Sequence, residues 1–288
     1  LDKEKCSFGG IRVTMEQWTG YLQLAVEKKG QKTIAEDIYF YGAFKLMSPF
    51  YLQNDAQACY YIMNPGGGYV DGDQYKMEIQ LSKQSELLLT TQSATKIYKT
   101  PNKPVKQEIN ITLKEGSLLE YLPDPIIGYK NSRYKQSTVV HMERGTYLIA
   151  TDIITPGWDS EGNVFSYDCL DLKTEVYLEE SMVVLDHIRL TPGSQGIMNM
   201  GFLEGYTHFG TMLVIGEKTD ADFCLKLHEA MEAYDLKCKF GLSMLSVPGF
   251  NLRVLGVSTQ DVQRVFNICH NIIRQEWFGK PTVFLRKY

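Results

Sequence analysis

The chain has 288 residues, 44% hydrophobic and 22% charged, which is the balance of an ordinary globular protein long enough for one large core or two modest ones. Its net charge of −4 and pI near 5.8 exclude the basic stripe that nucleic acid requires and disfavour an anionic membrane surface. No apolar run is long enough to span a bilayer, and six scattered cysteines without a C-x-x-C pair read as reduced thiols of a cytosolic protein.

In chain order, Leu1 to Gly10 lacks the apolar region of a signal peptide. Residues 1–14 read as a non-native or disordered extension, with Met15-Glu16-Gln17-Trp18 opening a single domain over residues 15–288. Residues 15–217 read as a β-rich body. Short alternating runs recur at Tyr21–Val26, Tyr60–Met63, Tyr75–Leu81, Gln107–Leu113, Thr138–Met142, Tyr147–Ala150 and Thr174–Leu178. Tyr, Thr, Val and Ile are abundant in them, and turn residues separate them. Repeated strands without intervening helical patterns predict a mainly β fold of stacked sheets. No internal repeat of fixed period is visible.

Residues 218–288 change character. Thr211–Ile215 predicts a strand, and Phe223, Leu227, Ala230, Met231 and Tyr234 then recur at helical spacing. Two strands over residues 239–247 and 250–257 meet at Pro248-Gly249. A second helix starts at Ser258-x-x-Asp261, turns Val262, Val265, Phe266, Cys269, Ile272 and Ile273 inward, and stops at Gly279. The β-α-β-β-α order, with Val283-Phe284-Leu285 available to close it, predicts a smaller C-terminal layer with two helices packed on the β body.

The segment Asn64-Pro65-Gly66-Gly67-Gly68-Tyr69-Val70-Asp71-Gly72-Asp73 is a Pro/Gly turn ending in carboxylates. It is not a phosphate loop or a dinucleotide fingerprint, because a strand follows it and no helix N-terminus is available to hold an anion. There is no H-E-x-x-H or G-x-S-x-G, so no nucleophile with a base is recognisable. Cys224 and His228, four apart on the first helix, would supply two ligands, too few to close a metal site. Lys96 reads as a surface lysine or a site cation, and Arg286 and Lys287 as terminal charge or a partner contact.

The carboxylates carry more information. Asp71 and Asp73 lie at the Gly-rich turn, Glu120 and Asp124 flank Tyr121-Leu122-Pro123, and Asp152 and Asp186 interrupt apolar strand runs. A carboxylate among apolar strand residues is costly unless it is paired, hydrogen-bonded or hydrated. An outward strand position or a turn hydrogen bond would explain each one without function, and a pair of them would equally suit a β-rich hydrolase working by acid and base.

The Gly-rich turn, with Thr90-Thr91-Gln92-Ser93-Ala94-Thr95-Lys96-Ile97-Tyr98, resembles the UreD (UreH) family of urease accessory proteins. The resemblance continues through Leu119–Ile127, Thr151–Gly157, Gly205–Gly210, Gly279-Lys280-Pro281 and the final Leu285-Arg286-Lys287-Tyr288. It implies a non-enzymatic chaperone of urease maturation, with the urease apoprotein, UreF and the GTPase UreG as partners. It also implies no tightly bound cofactor and an internal path that conducts nickel(II) in transit. On that path Asp73, Asp152, Asp186 and Glu120 would be weak, exchangeable oxygen ligands, because tight thiolate coordination would trap the ion. A metal-free scaffold is the reading in which the interior stays dry.

Overall fold

The computed structural model describes residues 18–52, 56–194, 196–283 and 285, and the statements below concern these. The proposed extension over residues 1–14 and the terminal Arg286 and Lys287 lie outside the described residues. The body opens with β1 (Gly20–Lys29), β2 (Lys32–Gly42), β3 (Lys45–Leu46), β4 (Ala58–Met63), β5 (Gln74–Leu81) and β6 (Glu86–Thr91). It continues with β7 (Thr95–Ile97), β8 (Val105–Leu113), β9 (Leu118–Leu122), β10 (Ile126–Gly128), β11 (Arg133–Met142) and β12 (Tyr147–Ile154). Then come β13 (Cys169–Leu178), β14 (Ser181–Leu190), β15 (His208–Ile215), α1 (Ala221–Glu232), β16 (Cys238–Met244), β17 (Gly249–Gly256) and α2 (Thr259–Phe278).

Most of these strands do not form hairpins. From β4 onward the chain passes repeatedly between two stacked sheets, so that it winds as a flattened coil. One sheet runs β14-β13-β11-β8-β5-β1-β2, and the other runs β16-β17-β15-β12-β9-β6-β4-β3 with β7 and β10 beside it. Neighbouring turns of the coil pair in parallel: β1 with β5, β5 with β8, β8 with β11 and β11 with β13 in the first sheet. In the second sheet β4, β6, β9 and β12 do the same. Antiparallel pairs occur only toward the ends, for example β13 with β14 and β15 with β17. Parallel strands need long crossovers, and here each crossover is a strand in the opposite sheet.

Register explains why no repeat was visible. Leu87, Leu119 and Leu148 stand side by side in the second sheet, 32 and 29 residues apart. The repeat length changes from turn to turn, so self-similarity at one period is lost. One backbone feature does recur at these spacings. Gln84, Gly116 and Gly145 each adopt positive φ (59°, 72° and 73°) where the chain leaves the first sheet for the second. Glycine takes that conformation without steric cost, whereas Gln84 adopts it against the usual preference. Beneath each turn sits a small hydroxyl residue, Ser85, Ser117 or Thr146, all buried.

The core follows from strand parity. In β8 the odd positions Val105, Ile109, Ile111 and Leu113 are buried and the even ones face solvent. Such residues from both sheets fill the space between them, and a fully buried Leu such as Leu119 contributes about 1.5–3 kcal/mol. The outer face of the second sheet carries a separate core. There Ile149, Met212, Val214 and Leu252 meet Phe223, Leu227 and Met231 of α1 and Val265, Phe266, Cys269 and Ile273 of α2. The β15-α1-β16-β17-α2 order matches the expectation, but β15 to β17 extend the large second sheet instead of forming a layer of their own. Tyr234, expected to face inward, lies beyond the end of α1 and is 59% exposed. Val283 and Leu285 are not in a strand; they pack on Cys59, Tyr61 and Leu88. The five described cysteines carry free thiols, and no described helix is long and apolar enough to cross a membrane.

Both helix starts are capped, that of α2 at the Ser258 the sequence reading anticipates. The Asp220 side chain accepts from Phe223 N at 2.8 Å, and Ser258 Oγ accepts from Asp261 N at 3.2 Å. Gly279, at φ 61°, closes α2 with its N–H on the Gln275 carbonyl, and Lys280 N–H reaches the Arg274 carbonyl. Replacing Ser258 with Ala removes the α2 cap and is expected to cost about 1 kcal/mol, or roughly 2–4 °C in Tm. Thermal unfolding followed by circular dichroism measures it, and an unchanged Tm would show that tertiary packing alone sets the start of α2.

A polar seam between the sheets

The inner faces of the two sheets are largely apolar, and polar side chains gather along one line. On the first sheet Tyr75, Gln107 and Gln136 are register neighbours on β5, β8 and β11, and all three occupy inward positions. An uncharged amide buried there must find partners or cost several kcal/mol. Gln107 Oε1 accepts from the Tyr69 hydroxyl at 3.1 Å and lies 2.7 Å from the Tyr134 hydroxyl. Tyr134 is also 2.9 Å from Gln136 Oε1, and Gln136 Nε2 donates to Asp152 Oδ1 at 3.4 Å. Tyr69 stacks on Tyr75 with ring centroids 3.8 Å apart, and the Tyr75 hydroxyl donates to Asp73 Oδ2 at 2.8 Å. Residues from four strands and the Gly-rich turn thus make one line from Asp73 to Asp152.

The line continues beyond Asp152. This residue lies on β12 opposite Thr211 of β15, which stands opposite Arg253 of β17. Thr211 Oγ1 is 2.9 Å from Asn251 Oδ1, and Asn251 Nδ2 donates to Asp186 Oδ2 at 3.4 Å. Asp186 takes an inward position on β14, at the edge of the first sheet, and Arg253 Nη2 holds its Oδ1 at 2.8 Å. The Arg253 side chain is 55% exposed, so the seam reaches solvent at this edge. At the other end, Asp73 also accepts from Val70 N at 2.8 Å and from Thr19 Oγ1 at 3.2 Å.

Between the sheets a cavity of about 30 Å³ borders Tyr69, Gln107, Tyr121, Asp124, Gln136 and Asp152, room for at least one water. Asp152 keeps its partial accessibility toward this narrow space. Burial raises its carboxyl to about 7, the hydrogen bond from Gln136 opposes that rise, and the nearby Asp186 charge adds to it. Burial also raises the hydroxyls of Tyr69, Tyr121 and Tyr134, so they stay neutral donors.

Of the four carboxylates expected on the path, Asp73, Asp152 and Asp186 lie along the seam. Glu120 does not. It sits on β9 beside Tyr121, but alternate strand residues face opposite sides, and Glu120 points toward α2. Arg274 Nη1 donates to its Oε1 at 2.5 Å and Oε2 at 2.7 Å, and His270 Nε2 lies 3.1 Å from Oε2. Burial pushes the Glu120 carboxyl up, but His270, Arg274 and Gln57 together outweigh it and hold the group at about 2. Glu120, expected among the exchangeable ligands, instead lies off the seam with its oxygens bonded to the Arg274 guanidinium and His270. The cluster ties α2 and the segment after it to the coil, since Arg274 Nε also donates to the Pro281 carbonyl at 2.9 Å.

Other sequence candidates take ordinary places. Asp71 accepts from Asn102 and Lys103, and these turn bonds, led by the Asn102 side chain, lower its carboxyl. Asp124 and Thr91 bond reciprocally beside the cavity, with Asp124 N donating to Thr91 Oγ1 at 2.8 Å. Lys96 lies in β7, where its carbonyl accepts from Tyr69 N. Cys224 is buried in the helix core while His228 pairs with Glu232, so the two do not converge. No group of three or more His, Cys, Asp or Glu among the described residues is placed to hold a metal ion. Tyr69, Gln107, Tyr134, Gln136 and Arg274 were not singled out from sequence. The available signal for Gln107 and Gln136 was polarity at the inward parity of an otherwise apolar alternation.

Against known proteins, the family model described as UreD urease accessory protein matches residues 19–287. The chain is 68% identical to the urease accessory protein UreD of Lachnoclostridium phytofermentans over 274 residues, covering 95% of this chain and all of that protein. It is 45% identical to the UreD of a Bacillus species (94% of this chain, 99% of the relative) and 38% identical to that of Bacillus cereus (95% and 100%).

Two measurements test this site. A carboxyl raised in the folded state contributes stability that is present below its unfolded value, near 3.8, and is lost as pH rises through about 7. Asp152→Asn removes that dependence, so between pH 5 and 8 the variant should gain roughly 2–3 kcal/mol relative to the parent. Denaturant titrations at both pH values read the difference, and parallel pH profiles would show that Asp152 is well hydrated. Arg274→Met strands a buried carboxylate and should cost about 3–5 kcal/mol, part of which Glu120→Gln in the same chain restores. Additive losses in that double-mutant cycle would mean that the two side chains act independently.

Proposed function

This chain belongs to the UreD urease accessory protein family, and on that premise we propose that it serves urease maturation by conducting nickel(II) along the seam between its sheets. The single observation that supports this most is convergence. Asp73, Asp152 and Asp186 are far apart in sequence, yet tyrosine and glutamine side chains lead from Asp73 to Asp152, and Asn251 joins Asp186 to Thr211, the cross-strand neighbour of Asp152. All the groups on the line present oxygen or amide nitrogen, and none is a thiolate or an imidazole. Oxygen ligands bind a divalent ion such as nickel weakly and exchange it readily, which is what a cargo ion in transit requires. Nickel here is cargo and not a resident cofactor.

The ends of the seam differ in a way that suits directional passage. Asp73 is held by a backbone N–H and two hydroxyls, and among the described residues no cation pairs with it. Asp186 is paired with an exposed Arg253, whose long side chain is free to swing away when a dication or a partner takes its place. The Asp152 carboxyl, poised near neutrality, is ionised in a large fraction of molecules at cellular pH and is available to an arriving ion. In this reading the chain itself does no bond-breaking chemistry. Carboxylates strung along a narrow seam favour conduction over a hydrolase, which needs two of them facing one substrate across an open cleft. The partners that fit this role are the urease apoprotein as acceptor, UreF as the adjoining accessory protein, and UreG as the GTPase that carries nickel. The seat of the work is the cytoplasm, where urease is assembled.

The test is nickel-dependent activation of urease in a mixture of apoprotein, UreF, UreG, GTP and this chain. Asp73→Ala, Asp152→Ala and Asp186→Ala should each lower activation by about tenfold or more while leaving complex formation unchanged. Normal activation by all three variants would leave the chain as a scaffold whose interior nickel never enters.

A further inference from the structure

The middle of the seam is closed by two hydroxyls. Gln107 Oε1 has two lone pairs, and the Tyr69 hydroxyl at 3.1 Å and the Tyr134 hydroxyl at 2.7 Å are both directed at it. A cation moving from Asp73 toward Asp152 must pass the register row of Tyr75, Gln107 and Gln136. There it meets hydroxyl protons, the wrong end of the dipole, in front of an amide oxygen that would otherwise suit it. Gln107 is 7% exposed, so bulk water does not substitute for the missing ligand.

The closure has a built-in release. Tyr134 lies 2.9 Å from a second acceptor, Gln136 Oε1, so its proton can leave Gln107 without losing a hydrogen bond. Tyr69 is anchored by its ring, stacked on Tyr75, and its hydroxyl hydrogen turns about the C–O bond without moving that stack. The cavity of about 30 Å³ borders Tyr69, Gln107, Gln136 and Asp152, so space for a water or a partly dehydrated ion lies beside the oxygen that would be uncovered.

Resting on the transit reading above, we infer that Gln107 is a further cation-contacting station of the seam and that Tyr69 and Tyr134 gate it. A neutral amide oxygen between two carboxylates supplies a hard, weak step that passes an ion on without trapping it. The gate keeps the interior closed to ions until the hydroxyls turn; Tyr134 does so at little cost because it exchanges the Gln107 acceptor for Gln136, and Tyr69 turns toward the bordering cavity.

The experiment measures the initial rate of nickel-dependent urease activation in the same reconstituted mixture, with Tm and complex formation recorded for every variant. Tyr69→Phe with Tyr134→Phe removes both gating protons and should raise the initial rate about threefold or more. A merely structural role for these hydroxyls would lower Tm and leave the rate unchanged or slower, and that result overturns the gate. Gln107→Leu keeps the shape and removes the oxygen, and should lower the rate about tenfold. Parental rates from a folded Gln107→Leu protein overturn the station. Should that variant not fold, Gln107→Glu decides: nickel binding to the isolated chain should tighten about tenfold by calorimetry, and unchanged affinity overturns the proposal. Asp152→Ala run in parallel separates the two levels. If it and the Asp73→Ala and Asp186→Ala variants all activate normally, the transit reading itself fails; if it is inactive while the Gln107 variants match the parent, transit stands and the station falls.

Discussion

A polar side chain between two stacked sheets has no water to fall back on, and this constraint organises the interior. Each inward amide or hydroxyl must be met by another from a neighbouring strand or from the facing sheet. The parallel coil makes such meetings systematic, because residues roughly one turn of chain apart become lateral neighbours. Gln107 on β8 and Gln136 on β11 meet in this way, and Tyr75 on β5 completes the row. The inward glutamines are met by the hydroxyls of Tyr69 and Tyr134 and by the Asp152 carboxylate, although Leu172, the β13 neighbour of Gln136, is apolar. The chain thereby lays a continuous polar line through an otherwise apolar core instead of scattering isolated polar defects.

The winding itself depends on local rules that agree with one another. Alternating strands place every second side chain inward, left-handed turn residues at Gln84, Gly116 and Gly145 return the chain to the other sheet, and small buried hydroxyls fill the space below. The open edges of the coil are handled by antiparallel caps, β2 and β14 in the first sheet and β15 to β17 in the second. The last of these caps carries the outer core that α1 and α2 cover. The same cap brings Asn251 and Arg253 over Asp186, so the element that finishes the sheet also finishes the seam.

Much of this was legible in the residues. Alternation predicted many of the strands, though not β2 or β14, and helical spacing predicted both helices, with Ser258 and Gly279 marking the ends of the second. Asp73, Asp152 and Asp186 stood out because a carboxylate in an apolar strand run demands an explanation. The pairing of those strands was not legible, since register depends on turns 29 and 32 residues long and no fixed period exposes it. Which face a carboxylate takes depends on that register. Glu120 was therefore grouped with the others, although its parity relative to Leu119 and Tyr121 turns it toward α2. Buried Arg274 and His270 escaped notice because charged or titratable residues on a helix are ordinarily solvated.

Glu120 and Asp152 show how one sheet sorts two carboxylates to different ends. Both belong to the second sheet, on neighbouring strands that pair in parallel. Glu120 faces the helix layer, where a guanidinium with fixed fork geometry and an imidazole satisfy both oxygens, and its carboxyl is held at about 2. Such a group is charged at every physiological pH, yet it has no free oxygen to offer and no reason to exchange its partner. Asp152 faces the other sheet, where a neutral amide and a narrow cavity are its surroundings and burial lifts its carboxyl to about 7. The lack of a resident cation is costly for folding, but it leaves room for a transient one. Strength of binding in the native protein is therefore the wrong guide to a transit ligand. On the transit proposal, the carboxylate best suited to pass an ion on is the one the fold leaves least satisfied.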